Sequence, residues 1–214
     1  VGSSVDVNNL PGALVDRAEI ITGGASTVYG SDAIAGVVNF ITRDDFDGLS
    51  FQGNYNTTEQ GDSDIYDMGV VYGHNLSSGR GNITLYANSY ERKPLFASER
   101  EISQLVLFDD WESGFLQVGG SSTVPAGRGN FPRIDIGDGN GRVRITWNPD
   151  GTPRAFVDPD DRYNFAPVNY LQTPLERQSV GLMATLSVAG DYEAYFEASY
   201  TNNQARQNLA PAPA

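Results

Sequence analysis

The sequence predicts a mainly β protein in which a short α/β segment precedes a series of long antiparallel strands. Over five separate segments, apolar residues alternate with polar ones at a period of two, the pattern of strands with one apolar face. Ahead of them, residues 14–43 place two apolar runs around a Gly-Gly turn and a short helical pattern. No run approaches the roughly 20 apolar residues that a membrane-spanning helix needs.

The α/β segment is predicted from three short patterns. Val15–Ile21 has strand character and is ended by Gly23-Gly24. Residues 25–34 are compatible with a short helix. Residues 37–41 form a β-branched run between Gly36 and a charged stretch, which predicts a buried strand.

From residue 48 onwards the apolar side chains fall on alternate positions of five segments. These positions are Leu49, Phe51 and Tyr55, then Tyr66, Met68, Val70 and Tyr72, then Ile83, Leu85 and Ala87, then Val180, Leu182, Ala184, Leu186 and Val188, and finally Tyr192, Ala194, Phe196, Ala198 and Tyr200. Strands of about ten residues with this pattern are typical of outer-membrane β-barrels. A soluble β-sandwich also has alternating strands, but these are usually shorter, about 5–6 residues.

The connections between the five segments alternate in length. Those at 75–81 and 189–191 are short, whereas those at 57–64 and 93–177 are long. Membrane barrels have short periplasmic turns and longer extracellular loops. The order of short and long connections therefore supports the same interpretation as the alternation of apolar and polar residues. The insertion 93–177 holds both tryptophans and a predicted hairpin with strands at 142–147 and 155–157 about the Asn148–Gly151 turn. We expect ligand contacts in this insertion, because loops on a rigid scaffold commonly carry recognition.

Composition excludes several classes of function. The chain has 14 basic and 27 acidic residues and a formal charge of −13, which excludes a nucleic-acid partner because phosphate binding needs a basic surface. Cysteine is absent, and the single histidine, His74, excludes a site with several histidine ligands. No serine lies in a nucleophile-elbow motif. The chain reads as an internal segment of a longer protein.

A set of spaced residues in the α/β segment carries a family resemblance. It comprises Arg17 and Glu19, Gly23 and Gly24, Tyr29 and Gly30, Ala33, Gly36 and Asn39. This pattern resembles the end of the plug domain of TonB-dependent outer-membrane receptors. The resemblance implies that residues 1–45 are the C-terminal part of a plug domain and that 46–214 are the N-terminal part of a β-barrel, with 93–177 as a long extracellular loop. Transporters of this kind have 22 strands, so the barrel would be incomplete.

The resemblance also implies a function and a location. Such a receptor lies in the outer membrane of a Gram-negative bacterium, in contact with its lipid, and binds a scarce nutrient outside the cell. The ligand would be a small nutrient such as an iron-siderophore, cobalamin or an oligosaccharide, and a peptide is also open. Import would use energy from TonB, which contacts a region absent from this chain. Binding and gated transport need no bond chemistry, so we expect no catalytic residue, no cofactor and no metal site.

Charged residues give one specific expectation. Glu193 and Glu197 lie on the same face of the last segment, which requires that face to be wet or covered by polar protein. We expect Arg17 and Glu19 to contact the barrel wall, with Glu193 or Glu197 as the charge partners of the plug. An ordinary ion pair within the α/β segment is the alternative.

A second function remains open from the sequence. Asp135, Asp138 and Asn140 supply closely spaced oxygen ligands of the kind that calcium prefers, although the rest of an EF-hand is missing. The alternative reading is therefore a secreted or surface β-rich binding protein with calcium-binding loops. A solvated polar turn explains the same residues without a metal.

Overall fold

The computed structural model describes residue 10 and residues 12–43, 45–76, 79–132, 142–189 and 192–208. The chain divides into two compact units, Val1–Lys93 with Pro174–Ala205 and Pro94–Thr173 with Arg206–Ala214. In chain order the described strands are β1 Val15–Ile21, β2 Val37–Thr42, β3 Gly48–Asn56, β4 Ile65–Asn75, β5 Gly81–Arg92, β6 Leu95–Phe96, β7 Leu107–Asp110, β8 Phe115–Val118, β9 Gly129–Pro132, β10 Arg142–Trp147, β11 Pro153–Ala155, β12 Tyr170–Gln172, β13 Leu175–Ala189 and β14 Tyr192–Ala205. The mainly β prediction is confirmed.

The first unit begins with a two-stranded ribbon. A 3-10 turn, Gly12–Leu14, leads into β1, which pairs antiparallel with β2. Between them, helix α1 covers only Ser26–Tyr29. The predicted helix over 25–34 is too long, because Gly30 has φ 92° and ψ −179°, a conformation that ends the helix after one turn.

Strand β2 also departs from its prediction. Its burial alternates, and the side chains of Val38 and Phe40 are 54% and 40% exposed. Both faces of a two-stranded ribbon are buried only if other elements pack on them. In the described part of the chain, the face that holds Val38 and Phe40 stays exposed to solvent. The prediction of a buried strand from the β-branched run is therefore wrong for this chain.

The five long strands form one antiparallel sheet in the order β14-β13-β5-β4-β3. They correspond to the five segments predicted from alternation, with β13 and β14 extended to 15 and 14 residues. Strand β13 pairs with β5 and so links β14 to the strands β3 to β5. Arg92 at the end of β5 is in register with Leu175 at the start of β13. The long insertion therefore leaves and re-enters the sheet at adjacent positions.

In its described residues, the second unit has three small sheets. Strands β7 and β8 form a hairpin, β6 pairs with β12, and β10 lies between β9 and β11. The predicted hairpin about Asn148–Gly151 is present, but its second strand is Pro153–Ala155 and begins two residues earlier than expected. Strand β9 was not predicted, because Gly129-Asn130-Phe131-Pro132 consists largely of residues that disfavour strands.

The small core of the second unit includes Val106, Val124 and Thr146, which are 9%, 5% and 2% exposed. Thr146 donates a hydrogen bond from Oγ1 to the carbonyl of Gly127 at 2.9 Å. The candidate calcium ligands Asp135, Asp138 and Asn140 lie outside the described residues. Among the helices that the structure describes, none is long and apolar enough to span a membrane.

Candidate functional site

The glycines of the plug-like pattern shape the ribbon of the first unit. Gly23 and Gly24 have φ of 73° and 64° and reverse the chain after β1. Thr27 donates from Oγ1 to the carbonyl of Gly24 at 2.7 Å, which ties α1 to this turn. Gly36 has φ 146°, and a Cβ there would lie 2.6 Å from the carbonyl oxygen of Ile21. These positions therefore serve backbone geometry.

The other residues of the pattern divide between core and surface. Ala33 is 6% exposed, whereas Tyr29 is 51% exposed on the one-turn helix. Asn39 of β2 lies in register with Glu19 of β1, so the two side chains share one face of the ribbon. The pattern thus brings polar and charged groups together on that face.

Arg17 forms ion pairs with its neighbours on β1. Its Nε donates to Glu19 Oε1 at 2.9 Å and its Nη1 donates to Asp16 Oδ2 at 3.1 Å. The hydrogen bond to Glu19 and then that to Asp16 raise the pKa of Arg17. All three side chains are about half exposed, so these pairs contribute little to stability. Contact with Glu193 or Glu197 stays a prediction.

The register of the large sheet aligns the apolar residues of all five strands on one face. Leu49 is opposite Tyr72, Tyr72 opposite Leu85, and Leu85 opposite Leu182. We call this the apolar face, made by Leu49, Phe51, Tyr55, Tyr66, Met68, Val70, Tyr72, Ile83, Leu85, Ala87, Val180, Leu182, Ala184, Leu186, Tyr192, Ala194, Phe196, Ala198 and Tyr200. The opposite side is the polar face, which includes Gln52, Asp67, Asn82, Thr84, Ser179, Glu193, Glu197 and Thr201.

Burial of the two faces is inverted relative to a soluble sheet. On the apolar face, Phe51, Met68 and Tyr200 are 76%, 63% and 67% exposed. On the polar face, Thr84 and Ser179 are 0% and 2% exposed. Soluble proteins bury the apolar face of a sheet and leave polar residues in water. This arrangement suits a sheet whose apolar side meets a non-aqueous environment.

The polar face is covered in part by the chain that precedes β3. Asn82 donates from Nδ2 to the carbonyl of Phe46 and to Asn75 Oδ1, each at 2.8 Å, and accepts at Oδ1 from Thr84 Oγ1 at 2.8 Å. A Cβ at Gly73 would overlap the backbone of Phe46. The turn at Gly12–Leu14 packs against β4, and Leu14 is 2% exposed. The Gly12–Leu14 turn and Phe46, which flank the ribbon, thus lie against the polar side of the sheet.

Sequence reasoning did not single out Asn82 or Phe46. The available signal was weak: asparagine is disfavoured in strands, so Asn82 at the start of the segment that continues with Ile83 and Leu85 indicates a side chain with specific partners. Nothing in the sequence pairs it with Phe46, because that contact joins residues of different elements.

The apolar face runs obliquely across the strands. The row that contains Tyr55 and Tyr66 continues through the other strands as Glu91, Glu176 and Gln204. The last apolar residues of β5, β13 and β14 are Ala87, Val180 and Tyr200, which share one register row, so this edge shifts by four residues in one step between β4 and β5. At the opposite edge of the apolar face, Tyr72, Ile83, Leu186 and Tyr192 are each displaced by two residues from register with the one before. The strands of membrane barrels are likewise tilted.

Aromatic residues mark this edge. The rings of Tyr55 and Tyr66 lie 5.1 Å apart, and both hydroxyls donate to the carboxylate of Asp64, at 2.9 Å and 3.5 Å. An aromatic ring with its hydroxyl directed away from an apolar band is suited to a membrane interface.

The second unit carries a cluster of ion pairs. Arg154 forms a bidentate pair with Asp161, and Arg162 donates from Nε and Nη2 to Asp158 at 2.6 and 2.9 Å. The hydrogen bond from Arg154 and then that from the Val157 backbone N–H lower the pKa of Asp161 to about 2. In the part of the chain that the structure describes, no three acidic or histidine side chains are grouped to hold a metal ion.

Comparison with known protein families gives a match at the start of the chain. A family model described as TonB-dependent Receptor Plug Domain matches residues 1–37. The match covers β1, α1 and the start of β2, including the Arg17–Glu19 pair and the glycine turn. It does not extend over the large sheet or the second unit. No solved structure matches the chain.

Proposed function

We propose that this chain is part of an outer-membrane receptor that binds a scarce nutrient and imports it by TonB-energised, gated transport. The main support is the inverted burial of the large sheet, whose apolar face is exposed while the Gly12–Leu14 turn, within the stretch similar to a receptor plug, packs against β4. A barrel filled by a plug requires this arrangement, because its outer face meets lipid and its inner face meets polar protein.

Within this proposal, residues 1–45 are the end of the plug and residues 46–214 begin the barrel. The oblique outline of the apolar face supports this assignment, since the strands of membrane barrels are tilted. The turns at 76–80 and 190–191 would face the periplasm, and the insertion 93–177 would be an extracellular loop. Outer-membrane lipid would then cover the apolar face.

Transport would follow from the two layers of the first unit. Ligand captured outside would rest on the loops and the plug, and force from TonB would rearrange the plug to open a path along the polar face. The packing of the Gly12–Leu14 turn against β4 would be among the contacts that give way.

The charge contact of the plug is part of the same proposal. Arg17 is paired with Glu19 and Asp16 in this chain, and Glu193 and Glu197 are exposed on the polar face of the edge strand β14. In the complete receptor, Arg17 or its partners would meet Glu193 or Glu197 at the barrel wall. Replacement of Arg17 by Ala should loosen the plug and raise passive leakage of small solutes through the receptor. Unchanged leakage in liposomes would remove this contact from the proposal.

The function is tested first by extraction and by uptake. The native protein should be recovered from cell envelopes only with detergent, at a mass several times 23.1 kDa. Cells should take up a labelled nutrient, drawn from ferric siderophores, cobalamin and oligosaccharides, only when both the receptor and TonB are present. A protein of about 23.1 kDa that stays in the aqueous phase would contradict the proposal and favour a secreted binding protein.

A further inference from the structure

One side of the small sheet β9-β10-β11 gathers arginine side chains. Arg144 and Thr146 of β10 lie on the same side, because alternate residues of a strand do, and Arg154 of β11 is the register partner of Thr146. Arg128 stands two residues before Asn130 of β9, the register partner of Arg144, and so points to this side as well. We call this side the arginine face, made by Arg128, Arg144 and Arg154.

The aromatic ring of Phe156 belongs to the same face. Its backbone N–H donates to the carbonyl of Arg144 at 2.9 Å, which places Phe156 opposite Arg144 just beyond the end of β11. The guanidinium of Arg128 lies over this ring, 5.5 Å from its centroid. Such a cation–π contact holds the planar guanidinium by its flat side and leaves the N–H donors at its edge for other partners.

Two carboxylates of the segment after β11 are already bound by other arginines. Asp161 forms the bidentate pair with Arg154. Both oxygens of Asp158 accept from Arg162, at 2.6 and 2.9 Å. Arg144 comes no closer to Asp158 than 3.8 Å, which is too long for a hydrogen bond. The Arg144 guanidinium is therefore near a negative charge without being bound by it.

Positive charge is in excess around Asp158. The hydrogen bond from Arg162 lowers the pKa of this carboxyl, and the charges of Arg144 and Arg128 act in the same direction. Three guanidiniums thus act on one carboxylate, in a chain whose formal charge is −13. Asp160, in the same segment, is exposed.

The acidic residues of the β7–β8 hairpin do not bind the two remaining arginines. Asp109 and Asp110 line a cavity together with Arg162, but neither Arg128 nor Arg144 lines that cavity. Within the described part of the chain, Arg128 has no ion pair and Arg144 has only the one at 3.8 Å. These two neighbouring guanidiniums therefore have N–H donors that no described carboxylate accepts from.

We propose that Arg128 and Arg144 bind an oxyanion, a carboxylate or a phosphate, of an anionic ligand. A guanidinium matches such a group because two parallel N–H donors meet two oxygens at once. The ring of Phe156 would keep the Arg128 guanidinium in position. The proposal goes beyond the proposed function and does not depend on it, since a secreted binding protein would use the same face in the same way.

The test measures binding to the native full-length protein by calorimetry, in detergent micelles where the protein needs them. The probes are inorganic phosphate, citrate and lipopolysaccharide, the last of which carries its phosphates on a lipid. All titrations are made in 0.15 M NaCl, where exposed charges more than about 8 Å apart are largely screened. Direct contacts between guanidinium and oxyanion persist at this ionic strength, whereas attraction by a diffuse positive field does not. We expect saturable binding of at least one probe.

Substitutions on the arginine face should weaken this binding. Arg128→Gln and Arg144→Gln each remove one charge and its paired donors, so affinity should fall about tenfold in each. Asp158 keeps its pair with Arg162 in both variants, which preserves the main ion pair of the segment. Arg144→Lys retains the charge but not the two parallel donors and should bind with intermediate affinity.

Arg206→Gln is the matched control. Arg206 is exposed just after β14 and lies outside the arginine face, so the same substitution there should change affinity less than twofold. Trp147 belongs to β10, and its fluorescence shows in every variant whether the small sheet is folded.

Three results would overturn the inference: no binding of any probe in 0.15 M NaCl, binding that Arg128→Gln and Arg144→Gln leave unchanged, or an equal loss of affinity in Arg206→Gln. Variant-sensitive binding of phosphate or citrate would support the face and assign it to a dissolved anion. Variant-sensitive binding of lipopolysaccharide alone would also support the face and assign its oxyanion to a lipid headgroup.

Discussion

Gly36 illustrates how a single residue of the plug-like pattern acts through the backbone. Its φ of 146° and the 2.6 Å approach of a would-be Cβ to the Ile21 carbonyl admit only glycine. Gly36→Ala should therefore destabilise the ribbon by about 1–3 kcal/mol, the usual cost of such backbone strain. Limited proteolysis of the full-length protein would show this as faster cleavage near β1 and β2.

Gly53→Ala is the matched control. Gly53 lies within β3, has no positive φ, and a Cβ there would meet no atom within 4 Å. Proteolysis at β1 and β2 should be unchanged in this variant. If the two variants were cleaved equally fast near β1 and β2, the close approach to the Ile21 carbonyl would not explain why position 36 holds glycine.

Asp161 gives the second unit a pH dependence. Its pKa is about 2 in the folded protein, because Arg154 and the Val157 N–H bind the carboxylate, against about 3.9 in an unfolded chain. The stabilisation is therefore complete above about pH 4 and is lost as the pH falls through about 2. Hydrogen exchange at residues 154–161, measured between pH 2 and 5, should show local opening at the acid end.

Asp161→Asn keeps the size of the side chain but cannot ionise. In this variant the exchange rates, corrected for intrinsic chemistry, should be high throughout and should lose most of their dependence on pH in this range. A profile that matches the unsubstituted protein would mean that another group is responsible.

Among elements, the large sheet shows the strongest agreement between pattern and structure. A strand places successive side chains on opposite faces whatever its partners are, so alternation alone predicted which residues share a face. The one-turn helix α1 and the exposed β2 were not predictable in this way. The end of α1 depends on the conformation of Gly30, and the exposure of β2 depends on which elements pack on the ribbon.

A charge on the apolar face distinguishes a membrane sheet from a soluble one. Phe51 is 76% exposed, so Phe51→Arg in a soluble protein should change stability by less than about 0.5 kcal/mol. On the lipid-facing side of a barrel the same change should cost about 2–4 kcal/mol near the bilayer centre. Urea unfolding of the full-length protein from lipid vesicles measures the difference.

Asn54→Arg serves as the control, since Asn54 is exposed on the opposite face of the same strand. It should be tolerated in either environment. A small effect of Phe51→Arg, equal to that of Asn54→Arg, would contradict the lipid-facing assignment.

At the scale of the whole molecule, the insertion should be removable without loss of the sheet. Arg92 and Leu175 are register partners, so the ends of the first unit are already adjacent where residues 94–173 leave and return. Replacing 94–173 by an Asn-Gly turn should preserve recovery of the full-length receptor in outer membranes, because that turn suits a two-residue hairpin. Nutrient uptake should fall to background.

Retained uptake in the deletion variant would locate ligand recognition elsewhere. Loss of the protein from the membrane would instead show that the second unit is needed for assembly. Membrane recovery and uptake are therefore measured on the same cells.

By itself, the sequence determined the strand pattern, the five long segments and the plug-like pattern of residues 17–39, because these depend on local geometry and on spacing along the chain. The register that aligns the apolar residues into one oblique face and the contact of Asn82 with Phe46 depend on the tertiary structure. Each of these joins residues that are distant in sequence, and local propensity carries no information about which distant residues will meet.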